Sequence, residues 1–454
     1  MKSSSRPRTA RQSRIPTGRL ERFARLGWLA GEVALGGLGE AARRLTGASA
    51  AATNLFMTST NARKLATRLS RMRGAAMKMG QLLSLEGQDF LPPEVAEALS
   101  ILRAEADAMP ESQLRRVLAR AYGKGWEARF RQFDMTPIAA ASIGQVHRAQ
   151  AADGRDLALK IQYPGVARSI ESDVDNFATV LRLARLLPGD LDLSGILAEA
   201  KRQLRQETDY RAEARQLRRY AALVGDDPAV IMPTVHDDFS TGTILAMDYL
   251  DGEPLDALAG PAHAQRERDR AGAVLYRLMF RELFEFRFMQ TDPNFANYLL
   301  RPDGRIALLD FGGTRVISDR LAGLYAELFR AGVRADRAGV QAALEAIGFV
   351  TTDERPDRVA GIVDIFLIAF EPFQQRSAYD FGTSDIARRA RDAGLEFTMK
   401  KGLLRPPPPE TIFLHRKLGG TFLLCVRIGA RANVRALLQP FLDRAPAPIS
   451  PRSP

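Results

Sequence analysis

The chain contains a single cysteine, Cys425, among its 454 residues. A disulfide framework within the chain is therefore excluded, and Cys425 reads as a small buried apolar side chain. One cysteine fits a reducing compartment. No run of 18 uncharged apolar residues occurs, so a transmembrane helix is not expected. The nearest approach, residues 26–42, is interrupted by Glu32 and Glu40. That leaves at most peripheral membrane contact. Residues 1–20 lack an apolar stretch, so no signal peptide is read there. Helix-turn-helix patterning, zinc-finger spacing and aromatic-basic interleaving are all missing, and nucleic acid is not expected as a partner. No internal repeat is visible.

What is present is ordinary globular composition, with 46% hydrophobic and 26% charged residues. The length suits two or three domains, or one two-lobed domain with extensions. A net charge of +12 and a pI near 10.0 favour anionic partners such as nucleotides or acidic lipid.

Residues 1–20 are rich in Ser, Pro, Thr and Arg. They read as a disordered basic arm that also resembles a transit peptide. Residues 20–46 look helical but carry Gly27, Gly31, Gly36, Gly37 and Gly39. They fit an interfacial segment and a poorly ordered linker equally well. Over 61–85, Leu65, Leu69, Met72 and Ala76 form a helical stripe, with Lys78 and Gln81 one turn apart on a common face. From about 130 the pattern changes to strands: Val146 to Ala149, a turn at Asp153-Gly154, then Leu157 to Ile161. Residues 168–222 return to helix, 244–250 form a strand, and 264–289 are helical. A second hairpin is expected at 298–309 around Pro302-Asp303-Gly304, followed by helices to about 442. The expected division is 1–50 basic arm, 51–129 helical extension, 130–250 N-lobe, 251–442 C-lobe and 443–454 loose tail.

The strongest chemical signal is local. Asp292 and Asn297 stand five residues apart, the spacing of a kinase catalytic loop, and Asp310 opens Asp310-Phe311-Gly312. The intervening hairpin puts Asn297 before its first strand and Asp310 after its second. A carboxylate and an amide oxygen brought together there suit Mg²⁺, which prefers hard oxygen ligands. Either motif alone is weak. The two joined by a Pro-Asp-Gly hairpin outweigh the bland reading of a loop cap and a turn former.

Upstream, Leu157-Ala158-Leu159-Lys160 resembles the strand whose lysine contacts nucleotide phosphates. A cationic Lys160 needs a carboxylate, and the candidates are Glu207 and Glu213. These cannot point the same way on one helix. The loop before the lysine departs from a kinase. It reads Ala139-Ala140-Ala141-Ser142-Ile143-Gly144, and alanine restricts the backbone relative to glycine. Positions 290–292 are Gln-Thr-Asp where a kinase has His-Arg-Asp. His147-Arg148 and His415-Arg416 lack a following Asp and read as decoys. No Ala-Pro-Glu follows Asp310, which disfavours a protein substrate.

Together these residues resemble the UbiB/ADCK family of atypical kinases, in the branch that assists coenzyme Q (ubiquinone) biosynthesis. The resemblance runs from about 60 to 440. It rests on Lys78-Met79-Gly80-Gln81, on the segment Ala139 to Gln145, and on Glu207-Thr208-Asp209. It rests equally on Phe288 to Asn294, on Leu308 to Gly312, and on Leu414-His415-Arg416-Lys417.

The resemblance implies an α+β, protein-kinase-like two-lobed fold with an N-terminal helical extension lying over the cleft. It implies a Glu213–Lys160 pair, and a lid in which Glu207 and Asp209 meet Lys78 and Gln81. Its nucleotide site comprises Ala139, Ala140, Ala141, Ser142, Lys160, Asp248 and Leu250. Asn297 and Asp310 are its metal ligands, and Asp292, Lys160 and Glu213 its catalytic residues. The cofactors implied are ATP and Mg²⁺. The partners implied are ubiquinone-biosynthesis enzymes or quinone precursors and an anionic membrane surface. The location implied is cytoplasmic and peripheral at a bacterial inner membrane, or mitochondrial in a eukaryote.

The expected activity is a Mg²⁺-dependent ATPase, or a small-molecule or lipid kinase. The rivals are a protein kinase, a nucleotide-gated scaffold without chemistry, and a phosphotransferase for aminoglycosides or choline. Oligomeric state is left open.

Overall fold

The computed structural model describes residues 108–183, 194–351, 353–401 and 407–444. The basic arm, the periodic segment 61–85 with Lys78 and Gln81, and the chain beyond 444 lie outside the described residues.

In chain order the elements begin with α1 (Glu111–Tyr122), β1 (Phe130–Phe133), β2 (Ala139–Ala141), β3 (Gly144–Ala151) and β4 (Asp156–Gln162). The helices α2 (Val166–Leu183), α3 (Ser194–Glu207) and α4 (Tyr210–Val224) follow. Next come β5 (Val230–Ile231), β6 (Ile244–Asp248), β7 (Glu253–Pro254) and α5 (Gln265–Phe280). Then come β8 (Phe288–Gln290), β9 (Tyr298–Leu300), β10 (Ile306–Leu308) and β11 (Thr314–Val316). The rest of the described chain is mainly helical, with short helical turns at Glu371–Gln374 and Phe381–Thr383 and one short strand pair, Tyr379–Asp380 with Arg431–Ala432. Its helices are α6 (Asp319–Val333), α7 (Arg337–Ile347), α8 (Pro356–Ala369), α9 (Ile386–Lys401), α10 (Pro409–Ile428) and α11 (Val434–Arg444). Asp443 and Arg444, read from sequence as loose tail, still belong to α11.

The chain divides into two compact units. The first runs to Arg215 and takes in Thr234–Tyr249; the second takes in Gln216–Pro233 and the chain from Leu250.

The first unit holds an antiparallel sheet of order β1-β3-β4-β6, with β2 also paired to β3. The turn between β3 and β4 is built by Asp153, whose Oδ1 accepts from Arg155 N at 3.1 Å. Gly154 then takes φ +98°, a conformation alanine would resist. Central β4 is buried along nearly its whole length, which is why its sequence shows no clean alternation. Its period still assigns faces. Leu157, Leu159 and Ile161 enter a core with Leu114, Leu118, Trp126 and Phe130. Ala158, Lys160 and Gln162 are therefore turned to the other face.

The expected continuous helix 168–222 is interrupted. Thr208 closes α3, with its Oγ1 donating to Arg205 O at 2.7 Å. Asp209 Oδ1 accepts from Ala212 N at 2.9 Å and caps α4.

The second unit carries a sheet of order β5-β10-β9-β7 and the pair β8–β11. The β9–β10 hairpin repeats the earlier turn chemistry. Asp303 Oδ1 accepts from Arg305 N at 3.0 Å, and Gly304 has φ +78°. Beside these strands α5, α6, α10 and α11 pack around aromatic contacts such as Phe280–Phe329 and Phe329–Phe373. The helix expected over 264–289 changes type midway. After Phe280 it widens into a π-helical stretch, Arg281–Phe286, and stops at Arg287 with φ 52°.

Candidate active site

The expected site residues fall into two groups, one in each unit. In the first unit Lys160 lies inside β4, not at its end, and is paired with Leu245 of β6 on one side and Val146 of β3 on the other. Its Nζ is 2.7 Å from Glu213 Oε1, and the ammonium lies 5.5 Å from the centroid of the Tyr210 ring. Both members of the ion pair are buried. Glu213 sits in the first turn of α4. Glu207 ends α3, so the two acids belong to different helices and the one-helix argument about their directions does not apply.

Glu207 instead accepts from Ser142 Oγ, at the tip of the alanine-rich segment. That segment is not a free loop. Ala139, Ala140 and Ala141 form β2, in register with Val146, Gln145 and Gly144. Only Ser142 and Ile143 connect the strands, and neither takes a positive φ. Extended pairing suits alanine, so the glycines of an open phosphate loop are not needed here. Gly144 is required for another reason: a Cβ there would sit 2.3 Å from Ile161 O and 3.1 Å from Tyr210 Oη.

Asp248 ends β6, but its carboxylate is turned to the unit's own frame. Oδ2 accepts from Thr234 N at 2.8 Å, and Oδ1 lies 2.8 Å from His236 Nε2. Burial pushes this carboxyl up, yet the bonds from Thr234 and His236 outweigh it and hold it below the usual aspartate value. Leu250, two residues on, is half-buried and opens the second unit. Asp209 serves as the α4 cap. Its expected partners Lys78 and Gln81 lie outside the described residues.

In the second unit the hairpin brings its two ends together. Leu309 N donates to Asn297 O at 3.1 Å, which sets Asn297 beside the strand end carrying Asp310. Asn297 Nδ2 donates to Asp292 O at 2.9 Å and to Asp292 Oδ2 at 3.3 Å. The amide nitrogen is thus committed to Asp292, which leaves Oδ1 as the atom suited to a metal. Asp310 Oδ1 accepts from Gly312 N at 2.9 Å. Gln290 fastens both carboxylate-bearing segments, since its Nε2 donates to Asp292 O at 2.8 Å and to Asp310 O at 3.4 Å. The oxygen donors of Asn297 and Asp310 fit magnesium, which binds one or two carboxylates and fills its octahedron with water and substrate phosphate. Among the described residues no group of three or more His, Cys, Asp or Glu could hold a metal, and a site of that kind does not require one.

Two important partners were not read from sequence as site residues. Arg416, set aside as a decoy, donates from Nη2 to Asp292 Oδ1 at 2.7 Å. Lys417, its neighbour in α10, lies 2.9 Å from Glu282 Oε2. Glu282 belongs to the π-helical stretch and accepts from Tyr220 Oη at 2.7 Å and Gln290 N at 3.0 Å. Burial raises the Glu282 carboxyl. Burial also works against the Lys417 ammonium, but Glu282 and Tyr298 outweigh it and hold it above the usual lysine value. The only sequence cue to either cation was the segment Leu414-His415-Arg416-Lys417.

The ABC1 atypical kinase-like domain matches residues 101–344. The chain is 38% identical over 434 residues to the mitochondrial atypical kinase COQ8B of Rattus norvegicus, covering 95% of this chain and 81% of that one. It is 37% identical over 441 residues to the mitochondrial atypical kinase COQ8 of Saccharomyces cerevisiae, covering 95% and 86%. Among solved structures, the Rv3197–erythromycin complex from Mycobacterium tuberculosis superposes with a TM-score of 0.59 at 25% identity. That match covers 83% of this chain and 94% of the other.

Proposed function

Because the chain belongs to the ABC1 atypical kinase family, we propose that it is a Mg²⁺-dependent ATPase or small-molecule kinase that supports ubiquinone biosynthesis at a membrane surface. The observation that carries this reading is the stitched set Asp292–Asn297–Asp310, held at one hairpin end by Gln290. Asn297 Oδ1 and Asp310 hold the metal. Magnesium, when bound, neutralises charge on the phosphates. Lys160, kept in place by Glu213, is the residue assigned to phosphate oxygens, and Ser142 is assigned to the nucleotide. Asp292 orients a water or an acceptor hydroxyl and takes its proton. Lys78 and Gln81, with Glu207 and Asp209, form the lid that excludes polypeptide acceptors.

The ubiquinone assignment rests on family membership. Membrane contact is assigned to the basic N-terminal segment. No described helix is long and apolar enough to cross a membrane.

The test is nucleotide binding and turnover. Mg·ATP at a hundredfold excess over its Kd should stabilise the protein by about 2.7 kcal/mol, read as a rise in melting temperature. Asp310→Asn keeps an acceptor for Gly312 N but removes the charged metal ligand, so it should abolish most of that rise. An undiminished rise in Asp310→Asn sinks the metal assignment. Turnover measured with quinone-precursor analogues and anionic vesicles tests the pathway reading. Rates unmoved by either would count against it.

A further inference from the structure

The catalytic loop, residues 290–297, contains no lysine or arginine of its own. It is held by one side of a helix far along the chain. Three residues of α10, spaced i, i+1 and i+4, meet successive parts of the loop. Lys417 Nζ donates to Gln290 Oε1 at 3.3 Å. Arg416 Nη2 donates to Asp292 Oδ1 at 2.7 Å. Gly420 lies against Pro293 so closely that a Cβ there would sit 2.0 Å from the proline Cγ. A glycine at that point lets the helix backbone reach the loop, and the two cations then fall within bonding distance of it.

From this arrangement we infer that Arg416 is the positioning residue for Asp292, fixing the direction in which its carboxylate meets the reacting hydroxyl or water. The inference rests on the proposed role of Asp292. Side chains from two directions define the carboxylate. Oδ1 accepts from the guanidinium and Oδ2 from Asn297 Nδ2. The guanidinium is the better fixed of the two partners of this bond. Its side chain is 9% exposed, against 23% for Asp292. Its planar geometry sets a bond direction that a flexible ammonium does not. Without it Asp292 keeps its backbone bonds to Gln290 and Asn297, and its carboxylate keeps the 3.3 Å bond from Asn297 Nδ2 alone, one contact that does not fix both side-chain torsions. A general base displaced by about 1 Å loses up to roughly a hundredfold in rate.

A double-mutant cycle in the full-length protein tests this, with kcat and KM for Mg·ATP as readouts and the Mg·ATP melting shift as a check on binding. Arg416→Gln is expected to lower kcat roughly 10- to 100-fold while KM and the melting shift stay within about twofold. In an Asp292→Asn background the same substitution should cost no further kcat, because there is no base left to aim. A rise in KM at unchanged kcat, or losses that multiply in the double variant, would overturn the inference. Should Arg416→Gln fail to fold, the cycle is run with Arg416→Lys, which keeps charge without the planar fork. A parental kcat in that variant overturns the assignment equally. If Asp292→Asn alone leaves kcat unchanged, the role of Asp292 itself falls, and this inference with it.

Discussion

Replacing Asp292 with asparagine is expected to lower ATP turnover about 10²- to 10⁴-fold, the range that a positioned general base contributes, while leaving Mg·ATP binding nearly intact. The contrast follows from how the residue is held. Its backbone carbonyl accepts from Gln290 Nε2 at 2.8 Å and from Asn297 Nδ2 at 2.9 Å. Neither bond depends on the side chain, so the loop should keep its course. The variant amide offers one acceptor oxygen where the carboxylate offered two. In the parent Arg416 and Asn297 meet different oxygens, so in that geometry the variant's NH₂ must face one of these donors and lose its bond. What the amide cannot do is accept a proton. The measurement pairs single-turnover rates with the Mg·ATP melting shift. A rate within tenfold of the parent would remove Asp292 from the chemistry. A parallel loss of the melting shift would make it a binding residue.

The second large effect is on stability. Lys417 is 2% exposed and Glu282 0%, so each charge has the other as its principal compensation. Lys417→Met removes the cation and leaves Glu282 with the Tyr220 hydroxyl and the Gln290 N–H alone. Stranding one member of a buried pair typically costs about 3–5 kcal/mol. The penalty has a sign with pH. The carboxyl is already raised by burial, and losing Lys417 raises it further. Its folded-state value then exceeds its unfolded one, so stability is retained at acidic pH and lost as pH rises past the ordinary glutamate range. Urea unfolding of parent and variant at pH 5 and pH 8 measures both parts. A loss below about 1 kcal/mol, or a greater loss at pH 5, contradicts the account.

Features legible in the sequence share a local cause. The two hairpins were readable because Asp153-Gly154 and Asp303-Gly304 carry the turn chemistry within themselves. The α+β kinase-like class was implied by the family resemblance, which motifs of fixed spacing around one of those hairpins helped to carry. The unread features depend on distant partners. Nothing near Thr208 in the helical pattern announces that Asp209 will cap a new helix. The widening at 281–286 sets Glu282 among Tyr220, Gln290 and Lys417, which lie far from one another in the chain. Ser142 was assigned to nucleotide and Glu207 to the lid, and no local pattern says that they bond each other. Arg416 looked like a decoy because the test applied to it was local, a following Asp, whereas its carboxylate stands 124 residues earlier.

That separation also sets an order in time. A chain is made from its N-terminus at roughly 5–20 residues per second. The loop bearing Asp292 therefore precedes its anchor by 124 residues, an interval of about 6 to 25 s at that pace. Until α10 emerges, Glu282 is without its cation and Asp292 without its guanidinium. The hairpin beneath them, closed by its own turn, has no such wait. In the nascent protein the β9–β10 hairpin can therefore form before the partner that fixes the Asp292 carboxylate exists.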